Sequence, residues 1–495
     1  MAHGVAIAYD WLYDQWNADQ RKLMEEAIFK HSIQPTLGVF RDTDRVGWWH
    51  TNRFNWNFVC NGGTVASALA VAEQYPEETQ ELLRHTFESV QIPMQSYEPD
   101  GAWAEGPMYW GYATMYAVLY VAVLESALGD TFGLTELEGF SKTGYNPIFH
   151  FGPSGRAFNF SDCSDKKPDV PQLLWLAQQY DKPEFAWYHQ AVGKEAPRMP
   201  GGGRMTPHPL DIFWGYRQEA LSSGNLPLKV ALHGVEAAFF RSDWEDRDAL
   251  YFAIKAGSNQ VGHSHLDGGS FVFDAFGKRW VTDPGTDGNT YQLHRYAPED
   301  RPASKDFYRQ RAEGHNTLVV NPGPEPDQNP FGNAVLENFS EDEAFSCVTM
   351  DMGDYYPMSL RQAQRGVAMV QNQQVVIQDE ITPHTVGDVW WFLHTEADAS
   401  LSEDGRTATL AIDDVRCTVR LLTPEDVRFE IMAADPLPMS PAPEQADNSE
   451  FRKLAIHLPN LYNKSARIAV VLIPHRASDA VPETLYGVKP LNAWS

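Results

Sequence analysis

The sequence predicts an α+β multidomain protein, with a helical first half and an antiparallel β second half. Three observations carry this expectation. Up to Val192 the chain reads as helices joined by Gly/Pro loops. The stretch from Pro200 to Pro209 is dense in Gly and Pro and reads as a linker. Beyond it, short runs of strand character alternate with turn residues such as Glu403-Asp404-Gly405.

The helical elements follow in order. Asn61 to Gln74 is rich in Ala, Val and Leu and stops near Tyr75-Pro76. Pro76 to Val90 places Leu82, Leu83 and Phe87 among charges. Tyr109 to Leu128 is aromatic and aliphatic and ends at Gly129, and Pro171 to Tyr180 and Pro183 to Val192 are shorter. Such helices suggest stacked hairpins rather than a coiled coil. Predicted strands cover Leu250–Ala256, Gly269–Ala275, Arg279–Asp283 and Asn316–Asn321. Further strands are expected over Gln374–Asp379, Val389–His394, Thr407–Ile412, Arg416–Leu422 and Ala466–Pro474. A β-sandwich or stacked antiparallel sheets would result. The expected division is 1–205, 206–425 and a β extension over 426–495, with a ligand cleft between the helical and β parts.

Composition limits the function. With 495 residues the chain exceeds the size at which single cores divide. The net charge of −27 argues against a nucleic-acid binder, which needs a basic face. It says little about a local cleft, so an anionic ligand requires clustered Arg and Lys. The 15 Trp, 20 Tyr and 26 Phe serve core packing in the main, and some suit sugar faces. Cys60, Cys163, Cys347 and Cys417 are far apart and form neither a zinc ribbon nor a dense disulfide framework, although Cys60 lies beside a candidate site. No run of about 18 apolar residues is seen, so no membrane span is expected. No signal peptide is visible, and the chain begins inside a helix-like pattern.

The strongest local signal is Gly262-His263-Ser264-His265-Leu266-Asp267-Gly268-Gly269-Ser270. Val281-Thr282-Asp283-Pro284-Gly285 and Gly314-His315-Asn316-Thr317-Leu318 follow it. His and Asp from these runs have the donor types that Zn²⁺ prefers, though not a standard zinc spacing. On residue type alone, satisfied polar groups at strand ends are the plainer reading.

Together these motifs resemble the β-domain of the heparinase II/III family of polysaccharide lyases. The segment Asn55 to Gly63 is similar to the turn into a helix of that family's (α/α) toroid, and Asp100 to Tyr109 to its tyrosine motif. The order agrees over roughly residues 9 to 325. The resemblance implies an (α/α) toroid, missing its first helices, followed by an antiparallel β-sandwich. It implies β-elimination on a 4-linked uronic-acid glycan, a glycosaminoglycan with broad choice or else alginate. Asn61 would face the substrate carboxylate, Tyr109 would be the catalytic tyrosine with Tyr112 and Tyr116 as rivals, and His263 the catalytic histidine. His265, Asp283 and His315 would hold a structural Zn²⁺. No organic cofactor, nucleic acid or membrane partner is implied, and the location would be periplasmic or secreted. Gly62 follows Asn61 where some members carry a histidine, so that partner is absent or comes from elsewhere, such as His50.

Each residue has a plainer reading. Asn61 would serve as a helix cap, Tyr109 as one more packed aromatic, and His263 as a further metal ligand. Trp56 and Tyr112 are expected to meet the substrate. So are Arg295, Arg309 and Arg311, which stand with Arg301 and Lys305 among Tyr291, Tyr296 and Tyr308. A solvated loop is the alternative for that cluster. A glycoside hydrolase using Asp100 and Glu105 is the rival enzyme, and a non-catalytic glycan-binding protein the rival outside catalysis.

Overall fold

Aromatic and small residues at helical spacing build the first half around one long helix. The computed structural model describes residues 1–43, 47–166, 170–195, 208–216, 221–288, 290, 306–385 and 387–494. Among the described residues ten α-helices occupy the first part: α1 (Ala2–Trp11), α2 (Ala18–Ile28), α3 (Gln34–Phe40), α4 (Asn55–Ala70), α5 (Pro76–Met94), α6 (Pro107–Leu128), α7 (Tyr145–His150), α8 (Gln172–Tyr180), α9 (Pro183–Glu195) and α10 (Pro209–Phe213). Helix α6 is long and apolar enough, by length and composition, to cross a membrane, contrary to the expectation from runs alone. In the fold it is the central helix. It packs on α4 and buries Trp110, Ala113, Ala117, Val121 and Leu124. Each large side chain so buried contributes about 1.5–3 kcal/mol. Gly62 permits the α4–α6 approach, since a Cβ there would stand 2.9 Å from the Tyr116 carbonyl oxygen.

The β half holds nineteen strands among the described residues. A five-stranded sheet runs β1 (Lys229–Leu232), β2 (Ala237–Arg241), β3 (Tyr251–Lys255), β5 (Phe271–Ala275) and β6 (Lys278–Val281), and β4 (Gly257–Ser258) pairs with β8 (Asn333–Ala334). An eight-stranded sheet has the order β14-β15-β16-β19-β12-β11-β10-β9. Its strands are β14 (Asp398–Leu401), β15 (Thr407–Ile412), β16 (Val415–Thr423), β19 (Ala466–Arg476), β12 (Gln374–Pro383), β11 (Leu360–Val370), β10 (Phe345–Asp351) and β9 (Leu336–Ser340). A four-stranded sheet joins β17 (Phe429–Ala433), β18 (Arg452–Leu458), β13 (Val389–Thr395) and β7 (Leu318–Val320). All pairings among these strands are antiparallel. One continuous core, with Phe252, Phe273, Val367, Ile377, Trp391 and Leu454 among its members, runs between the sheets.

The expected boundary at 425/426 does not exist in the fold. Strand β18 pairs with β13, and β19 lies between β12 and β16. The residues after 425 therefore complete sheets begun far upstream. The helical and β parts meet through a smaller core in which Phe149, Phe158 and Phe160 pack on Phe239, Tyr251 and Val272.

Candidate active site

The site forms where three pieces of chain meet: the start of α4, the turn before α6, and the loop from Asn259 to Ser270 between β4 and β5. Gly262 lets the pieces touch, for a Cβ there would lie 2.8 Å from the Phe54 ring. His263, next along, takes the left-handed backbone conformation with φ of 60°. That conformation is uncommon for a side-chain-bearing residue and collects at functional sites. It is held by the Asp162 N–H, which donates to the His263 carbonyl at 2.9 Å. Asp267 of the same loop accepts from Ser161 N at 2.7 Å and from Lys255 Nζ at 2.7 Å, so the motif stitches the 158–163 segment to β3. Buried Arg365 completes the support. It pairs with Asp379 and donates to the Gly269 and Asn316 carbonyls.

Tyr109 and His263 come together in the fold. Their rings stack with centroids 3.9 Å apart and planes 12° apart. Glu105, 1% exposed, lies beside His263, its Oε1 2.7 Å from His263 Nδ1. The same carboxylate accepts from the backbone N and Nδ2 of Asn55, both at 2.9 Å, and from Trp103 Nε1 at 3.1 Å.

Asn61 is not at this site. It is fully buried inside α4, and both hydrogens of its Nδ2 are spent, on Asn57 Oδ1 at 2.7 Å and Ser89 Oγ at 2.9 Å. The asparagine that shares a carboxylate with His263 is Asn55. The sequence holds asparagines at 55, 57 and 61, and helix periodicity alone does not separate them. Helix α4 begins at Asn55, six residues before the expected start, which places that residue rather than Asn61 at the mouth of the helix. His50 supplies no partner there; its ring packs edge-on against Phe40 and Trp49.

Of the residues expected to meet substrate, Trp56 and Tyr112 are exposed. Trp56 also meets exposed Trp48 edge to face, at 6.4 Å between centroids. Exposed Arg53 precedes the Phe54 that packs on Gly262 and was not among the expected residues. Arg309 and Arg311 do not fit the expectation. Arg309 braces a loop junction, donating to the Pro284, Thr286 and Asp447 carbonyls and to Asn448 Oδ1. Arg311 is fully buried, paired with Asp327 and bonded to the Gly323 and Glu325 carbonyls. Arg295, with Tyr291, Tyr296, Arg301 and Lys305, lies outside the described residues. Burial pushes the Cys60 thiol up to about 11, which disfavours the reactive thiolate.

The expected zinc ligands are neighbours. His265 and His315 are fully buried, with ring centroids 5.3 Å apart. Both ring nitrogens of His265, and Nε2 of His315, lack hydrogen-bond partners. Buried imidazole nitrogens left this way fit a nitrogen-seeking cation. Asp162 Oδ1 stands 3.6 Å from His265 Nε2. Asp283 is placed differently from the expectation. Its Oδ2 accepts from His315 Nδ1 at 2.7 Å and its Oδ1 from Gly285 N at 2.9 Å, the position of a carboxylate that orients a ligand. Burial lowers the His315 pKa, but Asp283 outweighs it and holds the group above its ordinary value. Among the described residues no group of three or more His, Cys, Asp or Glu already stands in a coordinating arrangement.

Residues 231–434 match the family model described as Heparinase II/III-like, C-terminal. The β half thus carries a heparinase II/III-like C-terminal domain. The fold of the whole chain is similar to that of heparan sulfate lyase HepC from Pedobacter heparinus. The likeness has a TM-score of 0.67 at 12% identity, over 97% of this chain and 69% of that one. A mutant of HepC gives a TM-score of 0.65 at 12% identity, over 93% of this chain and 64% of that one. A heparinase III gene product gives a TM-score of 0.67 at 14% identity, over 97% of this chain and 68% of its own. The chain therefore spans about two thirds of the length of these proteins. The toroid-plus-sandwich architecture is common to them. No curated protein matches the chain in sequence.

Proposed function

We propose that this protein is a polysaccharide lyase that cleaves 4-linked uronic-acid glycans by β-elimination. The observation that carries the reading is the Tyr109–His263 stack at the junction of the two halves, with Asn55 on the same carboxylate as His263. A uronate has an acidic C–H at C5, next to its carboxylate. Asn55, itself buried and giving one Nδ2 hydrogen to Glu105, has a second amide hydrogen to offer that carboxylate as negative charge builds on it. One member of the Tyr109–His263 pair takes the C5 proton. The C–H electrons form the C4=C5 double bond and O4 departs, protonated by the other member. Each proton-transfer group typically contributes roughly 10²–10⁴-fold.

The hydrolase reading loses its carboxylates. Glu105 is occupied by four N–H donors, and Asp100 accepts from Ala102 N, His233 N and Gly234 N. Neither is placed to protonate a leaving group.

Glycosaminoglycans are the favoured substrates, with broad choice, and alginate is the second candidate. Trp56, Trp48 and Tyr112 offer faces to sugar rings, and exposed Arg53, three residues before Trp56, brings a positive charge to that stretch of chain. No sulfate-specific cradle is seen among the described residues. A polymer too large to cross a bilayer places the reaction in the periplasm or outside the cell. A structural Zn²⁺ would be held by His265 and His315 with Asp162 as oxygen ligand and Asp283 orienting His315. It would tie the 158–163 segment to the β half, and the elimination needs no step through it.

The test is product chemistry on hyaluronan, chondroitin sulfate, heparan sulfate and polymannuronate. An ultraviolet-absorbing unsaturated uronate on several glycosaminoglycans is expected. Saturated ends would make the protein a hydrolase, and binding without turnover a glycan-binding protein. Activity on polymannuronate alone would move the substrate to alginate.

A further inference from the structure

We propose that Glu105 is the positioning residue of the site, fixing His263 with its proton on Nδ1 so that Nε2 is the nitrogen that meets the reacting proton. The inference rests on His263 as the proton-transfer group of the reading above, and its test separates the two.

The argument is an account of hydrogens. Glu105 has two oxygens and four N–H neighbours. Oε2 faces the Asn55 backbone N at 2.9 Å and Trp103 Nε1 at 3.1 Å. Oε1 faces Asn55 Nδ2 at 2.9 Å and His263 Nδ1 at 2.7 Å. A backbone amide, an indole and an amide nitrogen can only donate. Three fixed donors on a side chain that is 1% exposed are best met by the two acceptor oxygens of a carboxylate, the form that leaves no O–H to place among them. The fourth neighbour must then also donate, because a bare Nδ1 would set a lone pair against a carboxylate oxygen. A neutral imidazole carries one proton. With it on Nδ1, Nε2 is bare.

The ring is also held against reorientation. Its backbone is clamped by the Asp162 N–H, and one face is covered by Tyr109. The Glu105 backbone is fixed in turn. Gly106 adopts φ of 93°, and a Cβ there would stand 2.6 Å from Cys163 Sγ. In the step itself the substrate C–H proton moves to Nε2 and the electron pair stays with the substrate. The Nδ1 proton remains on the ring, and Glu105 offsets the imidazolium charge without taking a proton. The arrangement follows the general logic by which a carboxylate holds a catalytic histidine in its working tautomer.

The experiment is ¹⁵N NMR of protein labelled at histidine, with the His263 signals assigned by their loss in His263→Ala. Wild-type protein is expected to show a protonated Nδ1 and a bare Nε2 in its neutral ring. In Glu105→Gln the amide NH₂ faces donors, and the tautomer preference should weaken. On a cleaved polymer kcat should then fall by roughly 10²-fold or more, with KM changed less than about threefold. A wild-type ring protonated on Nε2 overturns the proposal, and that result does not depend on Glu105→Gln being folded. So does a Glu105→Gln enzyme with unchanged kcat. An Nδ1-protonated ring in a protein that cleaves no uronate polymer supports the positioning and removes the functional reading alone.

Discussion

The ring of Tyr109 lies flat on that of His263, 3.9 Å between centroids, although the two residues belong to different halves of the chain. One comes from the first turn of α6 and the other from the loop before β5. The proposed elimination would therefore depend on the junction between the halves as much as on either one.

Tyr109→Phe keeps the stacked ring and removes only the phenol. Turnover should fall by roughly 10²–10⁴-fold while oligosaccharide affinity stays near wild type. Initial rates and calorimetric titration measure the two quantities. Wild-type rates would transfer the role to Tyr112 or Tyr116.

Asn55 and Asn61 should separate cleanly. Asn55→Ala is expected to lower kcat strongly, because it removes the amide beside the His263 carboxylate partner. Asn61→Ala should leave kcat little changed and cost about 1–3 kcal/mol of stability, since it strips hydrogen bonds from buried Asn57 and Ser89. Kinetics and urea denaturation on both variants decide it. Loss of turnover only in a well-folded Asn61→Ala protein would restore the assignment to residue 61.

Trp56→Ala and Arg53→Ala should act on KM rather than kcat. The exposed indole supplies stacking area and the guanidinium supplies charge. Added salt should therefore weaken wild-type binding more than that of Arg53→Ala. Equal salt dependence in the two proteins would exclude Arg53 from the anionic subsite.

Protein purified without chelator should carry about one zinc per chain, and His265→Ala should lose it. Removal of the metal should lower the thermal midpoint. Elemental analysis that finds no metal in active, unstripped protein defeats the site. Loss of activity on mild chelation with the fold intact defeats the structural role.

Acid should destabilise the protein through buried histidines. Burial pulls His150 down to about 4 from 6.5, and His394 well below its ordinary value. Between those limits the unfolded chain binds protons that the folded one refuses. Stability is thus whole above 6.5 and lost as the pH falls toward 4. His150 contributes up to about 3 kcal/mol across that window. Urea denaturation at stepped pH measures it, and His150→Gln should flatten the slope. An unchanged slope in the variant removes His150 as a source.

The helical elements were legible because their periodicity and stop signals agree. Pro76 opens α5 as expected, and Leu128 closes α6 before Gly129 at φ of 75°. Strand β11 escaped notice because Leu360, Ala363 and Val367 fall at helical spacing, and only its pairing with β10 and β12 makes it a strand. Tyr109 and His263 were legible from their motifs. Glu105 was visible as a residue but not as their partner, since 158 positions separate it from His263. Arg309 and Arg311 misled because a run of basic residues looks the same whether the guanidinium groups meet solvent or buried carbonyls.

Strand β19 occupies the middle of the eight-stranded sheet, yet in chain order it follows the other seven strands of that sheet. Until Ala466–Arg476 emerges, β12 and β16 each lack a neighbour on one side. During synthesis they are bare edges open to pairing with other nascent chains. The sheet is closed by a late wedge, so it cannot be complete before Ala466–Arg476 has been made. The helical half, rich in local contacts, can settle while that wedge is still being made.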